Sequence, residues 1–119
     1  MPSDELRRTR AALEDIRDNI HLARSFVAGL SRVAFAADRR TCYAATRCLE
    51  IVSEAARRLP QALRDRHPDL PWRAIMGAGN VYRHGYDNVS EDLVWTTVSE
   101  ALTGLLAAAE AELARLDGR

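Results

Sequence analysis

Lysine is absent from this 119-residue sequence: all 17 basic side chains are arginines, and 17 acidic residues balance them. The sequence also lacks an apolar run of about 18 residues, which excludes a transmembrane helix. Its first residues, Met-Pro-Ser-Asp-Glu, lack the basic stretch and apolar core of a signal peptide. The 47% apolar and 29% charged residues are typical of a folded chain, and the length predicts one domain over residues 1–119.

Cysteine is scarce, which limits the disulfide and metal chemistry available to the chain. The two cysteines are Cys42 and Cys48. On one helix their six-residue separation corresponds to about 9 Å of rise, which is too far for a disulfide bond. We interpret both as buried apolar residues of a protein in the reducing cytoplasm. No cluster of histidines accompanies them, so the sequence predicts no metal ion and no cofactor.

The charges are unevenly distributed although their sum is zero. Residues 1–38 carry six arginines and six acids, residues 39–86 nine arginines and four acids, and residues 87–119 two arginines and seven acids. The net charges of the three parts are therefore 0, +5 and −5. The basic middle part is suited to attracting phosphate groups. The alternative is that an acidic last helix simply packs beside a basic middle one.

Apolar residues recur at intervals of three, four or seven in every long segment, which is typical of amphipathic helices. The first helix is predicted to begin at the N-cap Ser3 and to end near Gly29. After a short connecting piece at Ser31–Ala37, a second long helix is predicted to begin near Asp38. Pro60 ends that helix because proline cannot continue it.

The second half of the chain follows the same pattern with one irregular stretch. Pro71 is predicted to open a short helix, and residues 77–88, rich in glycine and asparagine, leave helical order uncertain. Ser90 is predicted to cap the last long helix, with Glu91 and Asp92 in its first turn. No segment alternates as a strand would. The predicted fold class is all-α, an antiparallel up-and-down bundle of about four main helices.

Two of the three histidines have ordinary surroundings. His21 lies beside the apolar stripe of the first helix, and we interpret it as a structural or surface residue. His67 precedes Pro68 in a polar turn and is predicted to be solvated. These two histidines therefore give no sign of a catalytic site.

The third histidine, His84, lies among residues that can assist it in acid–base catalysis on a phosphate group. Histidine exchanges protons near neutral pH. The adjacent Arg83 can bind a phosphate and stabilise developing negative charge. Asn80 and Tyr86 can add oriented hydrogen bonds. The alternative is that His84 only caps the end of the preceding helix.

The chain resembles the HepT-like HEPN family over nearly its whole length, and three segments carry the resemblance. Residues 47–59 end in Ser-Glu-Ala-Ala-Arg-Arg-Leu, similar to the family's "GEAA+L" pattern. Residues 67–75, His-Pro-Asp-Leu-Pro-Trp-Arg-Ala-Ile, are similar to its "PxIPWxxI" pattern. Residues 79–86, Gly-Asn-Val-Tyr-Arg-His-Gly-Tyr, followed by Trp95, resemble its "RNxxxHxY…W" signature. Their order and spacing together make the resemblance specific.

The resemblance implies the toxin half of a bacterial toxin–antitoxin pair. Family members are typically homodimers that act as metal-independent endoribonucleases on RNA. Their motif is an arginine, four to six intervening residues, a histidine and then a tyrosine. The resemblance also implies a partner, a MntA-like nucleotidyltransferase antitoxin that attaches AMP from ATP to the motif tyrosine, which here is Tyr86. Asn80 and His84 match the motif as well.

The arginine of the motif is missing from this chain. The three positions that the spacing allows hold Gly77, Ala78 and Gly79. We hypothesise that Arg83, which would share a helix face with Gly79, leans back over the vacated space. Arg73 is the second candidate for the same task.

The implied chemistry is attack of a ribose 2′-hydroxyl on the adjacent phosphate. His84 would act as general base or acid, and an arginine would stabilise the charge on phosphorus. Arg47 and Glu54, on a polar stripe of the second helix, either line the same cleft or form a surface ion-pair stripe. Because the motif's arginine is absent, an alternative is a HEPN domain without catalysis that binds a nucleotidyltransferase or a nucleotide. A third interpretation is a helical scaffold.

Overall fold

Helices form almost all of the backbone in the computed structural model, which describes residues 3–84 and 90–118, and of Arg83 and His84 the backbone only. Within these ranges the chain forms seven α-helices, one π-helical segment and no strand. The α-helices are α1 (Ser3–Val27), α2 (Arg32–Ala37), α3 (Arg39–Arg57), α4 (Gln61–Asp65), α5 (Trp72–His84), α6 (Glu91–Thr96) and α7 (Thr103–Leu116). No helix in the described part is long and apolar enough to cross a membrane. The predicted all-α class is confirmed.

Local backbone chemistry sets the boundaries of the first three helices. Gly29 follows α1 with a φ of +78°, the left-handed conformation that favours glycine. Ser31 Oγ accepts a hydrogen bond from the Ala34 amide at 3.1 Å and starts α2. Asp38 Oδ1 accepts one from the Thr41 amide at 3.2 Å and starts α3. The helix ends predicted at Gly29 and Asp38 are confirmed.

The core lies where α1 and α3 meet the C-terminal helices. Phe35, on the short helix α2, places its ring 5.5 Å from that of Trp95 on α6, with the planes tilted by 50°. This contact packs α2 against α6 at the core. The largest fully buried side chains are Phe35, Leu13, Ile16, Ile20, Val94 and Val98.

Both cysteines are free thiols, but the prediction that both are buried is confirmed only for Cys48. Cys48 is buried on α3, and Cys42 is partly buried with its Sγ donating to the Phe35 carbonyl at 3.1 Å. Burial raises the pKa of both thiols. The two side chains therefore pack as small apolar groups.

The last helix begins as predicted but is not continuous. Ser90 Oγ accepts hydrogen bonds from the amides of Asp92 and Leu93 at 3.0 and 3.3 Å. After α6, residues Thr97–Ala101 form the π-helical segment, and α7 follows. A π-helical turn inserts an extra residue into the helix, and such turns often border functional sites. Here the turn lies beside the end of α5.

Helix α5 is longer than the sequence pattern indicated. It begins directly after Pro71, as predicted, and the Ile75 amide donates to the Pro71 carbonyl at 3.0 Å. It then continues through Gly77 and Gly79 to His84. The glycine-rich stretch up to His84 is therefore helical, because α5 lies along α3 and the contact stabilises it.

The prediction that His67 is solvated is wrong. His67 Nε2 lies 2.6 Å from Glu112 Oε2, and Arg66 Nη2 lies 2.6 Å from Glu112 Oε1. The Glu112 carboxylate is only 5% exposed. Burial by itself would raise the pKa of Glu112, but the hydrogen bonds from Arg66 and His67 outweigh it and lower the pKa. This buried cluster joins α7 to the turn that precedes α5.

We expect Glu112→Gln to lower the free energy of unfolding by about 1 to 2 kcal/mol at neutral pH, because charge-assisted hydrogen bonds are lost. Because the pKa of Glu112 is lowered in the folded state, the ionised carboxylate stabilises the protein at pH values above the ordinary pKa of 4.5. This stabilisation is lost as the pH falls through the folded-state pKa. The difference between wild type and variant should therefore narrow below about pH 4.5. Urea unfolding at a series of pH values measures it.

Glu110→Gln is the matched control for this measurement. Glu110 lies on the same helix but is 53% exposed, and its carboxylate is 3.9 Å from His21 Nε2. Exposed ion pairs at this distance contribute little. An equal loss of stability in both variants would contradict the structural role assigned to the Glu112 cluster.

Candidate active site on helix α5

One face of helix α5 is buried in the bundle. Ile75, Ala78, Gly79 and Tyr82 lie on it at intervals of three and four, and Gly79 and Tyr82 are buried. Burial raises the pKa of the Tyr82 phenol, and a hydrogen bond with Thr97 of the π-helical segment partly offsets the rise. The position that would hold the motif's arginine, Gly79, is therefore turned towards the interior and not towards open solvent.

The opposite face of α5 carries the motif residues. Arg73, Gly77 and Asn80 are exposed there, and His84, the last residue of the helix, continues their spacing. The backbone positions of Asn80 and His84 are one turn apart. Arg73 is three turns before His84, a rise of about 16 Å, and arginine side chains on a helix point towards its N-terminus. The geometry therefore disfavours Arg73 as a partner of His84 in the same copy.

Two parts of the predicted site lie outside the described structure. These are Tyr86, with its neighbours in residues 85–89, and the side chains of Arg83 and His84. The hypothesis that Arg83 replaces the missing arginine thus stays a prediction. Residues 79 and 83 lie one turn apart on the same side of α5. At the turn of Gly79 this side is buried against α3, so there is little open space beside Gly79.

Ser53 of α3, which the sequence pattern did not single out, contacts the motif helix α5. It is 2% exposed, and its Oγ accepts a hydrogen bond from the Gly79 amide at 2.8 Å. The same hydroxyl donates to the Ile75 carbonyl at 2.8 Å and contacts the Met76 carbonyl at 3.2 Å. A signal was present in the sequence, because Ser53 stands where the quoted "GEAA+L" pattern has glycine.

The polar stripe of α3 is largely a surface feature. Arg47 is exposed, and its Nη1 lies 3.2 Å from Glu50 Oε2, one turn along the same helix. Glu54 is exposed on the next turn. Farther along, Arg57 Nη1 lies 3.5 Å from the Met76 carbonyl. The stripe therefore reaches α5 at Arg57, whereas Arg47 is engaged on its own helix.

An apolar groove runs beside α5. Its volume is about 520 Å³, and it lies between α3, α5 and the C-terminal segment. Val81 and Leu93 stand at its mouth with 53% and 46% of their surface exposed. Val52, Ala78 and Leu102 are among the residues that line it. Such a surface suits contact with apolar protein side chains better than contact with phosphate groups.

The acidic C-terminal part neutralises the basic middle part only in places. Glu112 pairs with Arg66 from the middle part, whereas Asp117 pairs with Arg10 of α1 at 2.8 Å. Arg73 is exposed and has no ion-pair partner among the described residues. The interpretation that the acidic part packs beside the basic part thus holds in part. Arg73 leaves positive charge on the exposed face of α5, and attraction of phosphate stays a prediction.

The fold and the site define an all-helical bundle whose exposed motif helix carries an asparagine and a histidine one turn apart. The family model described as "Ribonuclease HepT-like" matches residues 16–112. This match covers most of the chain, so the protein belongs to the HepT-like ribonuclease family.

Curated relatives agree with the family assignment. A Thermococcus cleftensis protein assigned as ribonuclease HepT is 33% identical over 93 residues, which cover 78% of this chain and 84% of the relative. A Caldanaerobacter subterraneus protein assigned as an RNase is 31% identical over 96 residues, covering 81% and 86%. One from Methanocaldococcus jannaschii, also assigned as an RNase, is 30% identical over 94 residues, covering 79% and 86%. No solved structure matches the chain.

Proposed function

We propose that the protein is a metal-independent endoribonuclease and the toxin of a bacterial toxin–antitoxin pair that acts in the cytoplasm. The observation that carries this proposal is the family match over residues 16–112, together with Asn80 and His84 on adjacent turns of α5. Exposed Arg73 on the same face adds positive charge with which an RNA backbone can interact.

The proposed reaction is internal transesterification of RNA. The ribose 2′-oxygen attacks the adjacent phosphorus, and the bond from phosphorus to the 5′-oxygen of the next nucleotide breaks. His84 removes the 2′-proton or delivers a proton to the leaving 5′-oxygen. Arg83 stabilises the negative charge that develops on the phosphoryl oxygens, and Asn80 orients the phosphate by hydrogen bonding. The products are a 2′,3′-cyclic phosphate and a free 5′-hydroxyl.

A homodimer would complete this site. Cleavage needs one group to accept a proton and another to donate one, and each copy carries a single His84. A two-fold assembly that brings two α5 helices together supplies the second histidine and doubles the positive charge. Val81 and Leu93, exposed beside the apolar groove, offer a surface that a second copy can cover.

We also propose a MntA-like nucleotidyltransferase as the antitoxin partner. It would transfer AMP from ATP to the phenol oxygen of Tyr86, forming a bond to the α-phosphorus and releasing pyrophosphate. The adduct would add bulk and negative charge two residues after His84, where the RNA phosphate must bind. Neutralisation follows from repulsion and steric exclusion of the substrate.

His84→Ala should lower RNA cleavage by about 10²- to 10⁴-fold, because the proton-transfer group is lost, and should abolish growth arrest on expression alone. Cleavage of a labelled RNA in excess chelator measures the effect. His21→Ala is the control, since His21 is 58% exposed on α1. Full activity or toxicity in His84→Ala would refute the catalytic assignment.

Arg83→Ala should lower kcat by about 10²-fold, as expected when a group that stabilises transition-state charge is removed. Arg73→Ala should instead raise KM for RNA and leave kcat nearly unchanged, because Arg73 lies about 16 Å of helix rise from His84. Steady-state kinetics of both variants provides the comparison. An unchanged kcat in Arg83→Ala would discard Arg83 as the substitute for the missing arginine.

Co-expression with a MntA-like nucleotidyltransferase should increase the intact mass of the protein by the mass of one or more AMP groups. Tyr86→Phe should prevent the increase because it removes the accepting oxygen. Tyr43→Phe is the matched control, since Tyr43 is the tyrosine of α3 that is 59% exposed. Adduct formation that survives in Tyr86→Phe would contradict the assigned site.

The alternative function is a HEPN domain without catalysis that serves as a binding partner of the nucleotidyltransferase or binds a nucleotide. The observation that favours it is Gly79 in place of the motif's arginine, buried against α3. A wild-type protein that binds the nucleotidyltransferase or a nucleotide but leaves labelled RNA intact would support this alternative over the ribonuclease.

A further inference from the structure

A single buried hydroxyl joins α3 to α5 at the turn that precedes Asn80. Ser53 Oγ lies 2.8 Å from the Ile75 carbonyl oxygen, 3.2 Å from the Met76 carbonyl oxygen and 2.8 Å from the Gly79 amide nitrogen. The hydroxyl donates to the carbonyls and accepts from the amide. Both its donor and its acceptor capacity are therefore directed to α5.

Two of these partners, the Ile75 carbonyl and the Gly79 amide, form one hydrogen-bonded pair in a regular α-helix. Ser53 Oγ contacts both groups. A serine within a helix commonly bonds back to a carbonyl of its own helix. Ser53 bonds to the neighbouring helix instead, so it fixes both the rotation of α5 and its position along α3 at this pair.

The two glycines of α5 differ in a way that agrees with this role. A Cβ at Gly77 would meet no atom within 4 Å, whereas Gly79 is buried at the contact with Ser53. Glycine weakens a helix at either position. At residue 79, however, the backbone amide itself contacts the Ser53 hydroxyl.

Ser53 and Gly79 are also two positions at which the chain departs from the quoted family patterns. Ser53 replaces the glycine of "GEAA+L", and Gly79 replaces the arginine of "RNxxxHxY". In the structure these two departures are the acceptor and the donor of one hydrogen bond. The bond uses the backbone amide of residue 79, so it depends on the Ser53 hydroxyl and not on the side chain at position 79.

We propose that Ser53 is a positioning residue, which holds the turn of α5 that carries Asn80 and His84 in register for the reaction. The proposal rests on the ribonuclease activity proposed above. Ser53 touches no reacting atom, so it acts through the alignment of the motif residues. Asn80 follows the fixed amide directly, and His84 is one turn beyond, so a rotation of α5 at Gly79 displaces both.

The test compares Ser53→Ala with Thr9→Ala, which removes a similarly buried hydroxyl from α1 (Thr9 is 2% exposed). We expect Ser53→Ala to lower kcat for a labelled RNA by roughly 10- to 100-fold with little change in KM, because small displacements of reacting groups are costly. We also expect faster hydrogen exchange at the Gly79 and Asn80 amides. Thr9→Ala should change neither kcat nor exchange in α5. Ser53→Cys, which fills the same space but bonds weakly, replaces Ser53→Ala if that variant does not fold.

Equal effects of Ser53→Ala and Thr9→Ala on kcat and exchange, or wild-type values in Ser53→Ala, would overturn the proposal. The hydrogen-exchange measurement does not depend on RNA cleavage. If the wild type cuts no RNA, the proposed function fails, but exchange at Gly79 still decides whether Ser53 fixes this turn. Faster exchange there in Ser53→Ala alone supports the positioning role, and unchanged exchange refutes it.

Discussion

Packing against α3 is what allows α5 to form a continuous helix. Gly77 and Gly79 each cost about 1 kcal/mol relative to alanine in a helix interior, so the local sequence favours a break there. The buried side of α5 compensates for this cost, with Ile75 and Tyr82 packed against the core. The exposed side can then carry polar residues without supplying stability of its own.

Contacts from three different parts of the chain hold α5 along its described length. At its start, Trp72 Nε1 donates to the His67 carbonyl at 3.0 Å, and His67 in turn is fixed by Glu112. In its middle, Ser53 bonds to the Gly79 amide. Near its end, Tyr82 is buried next to the π-helical segment. The motif helix thus depends on α3, on the preceding turn and on the C-terminal helices together.

This arrangement separates stability from chemistry on one element. Burial on one side fixes the backbone, while the side with Arg73 and Asn80 stays accessible to a charged polymer. The proposed site would therefore have its backbone positions fixed before a substrate binds, and preorganised groups stabilise a transition state most effectively. Packing of the buried side also keeps the turn at position 79 helical, although that position holds glycine and not the motif's arginine.

The sequence by itself determined the fold class, the end of α1, the start of α3 and the family. Periodicity and caps such as Asp38 are local signals, and the motif containing Asn80 and His84 is read directly from residue order. Local signals also placed the start of α5 at Pro71. They did not decide whether the glycine-rich part of α5 is helical, because glycine disfavours a helix and only packing against α3 compensates for that cost.

The tertiary structure alone decided which side of α5 is buried, and with it the roles of Ser53, Gly79 and His67. The residue type alone does not indicate whether a serine or a histidine is solvated or buried. Its role depends on what residues far along the chain bring to it, as Glu112 does for His67 across 45 positions. Long-range packing is set by the whole bundle, so no window of sequence around His67 contains that information. Around Ser53 the sequence marks the position, because the quoted pattern has glycine there, but not the helix that the hydroxyl contacts.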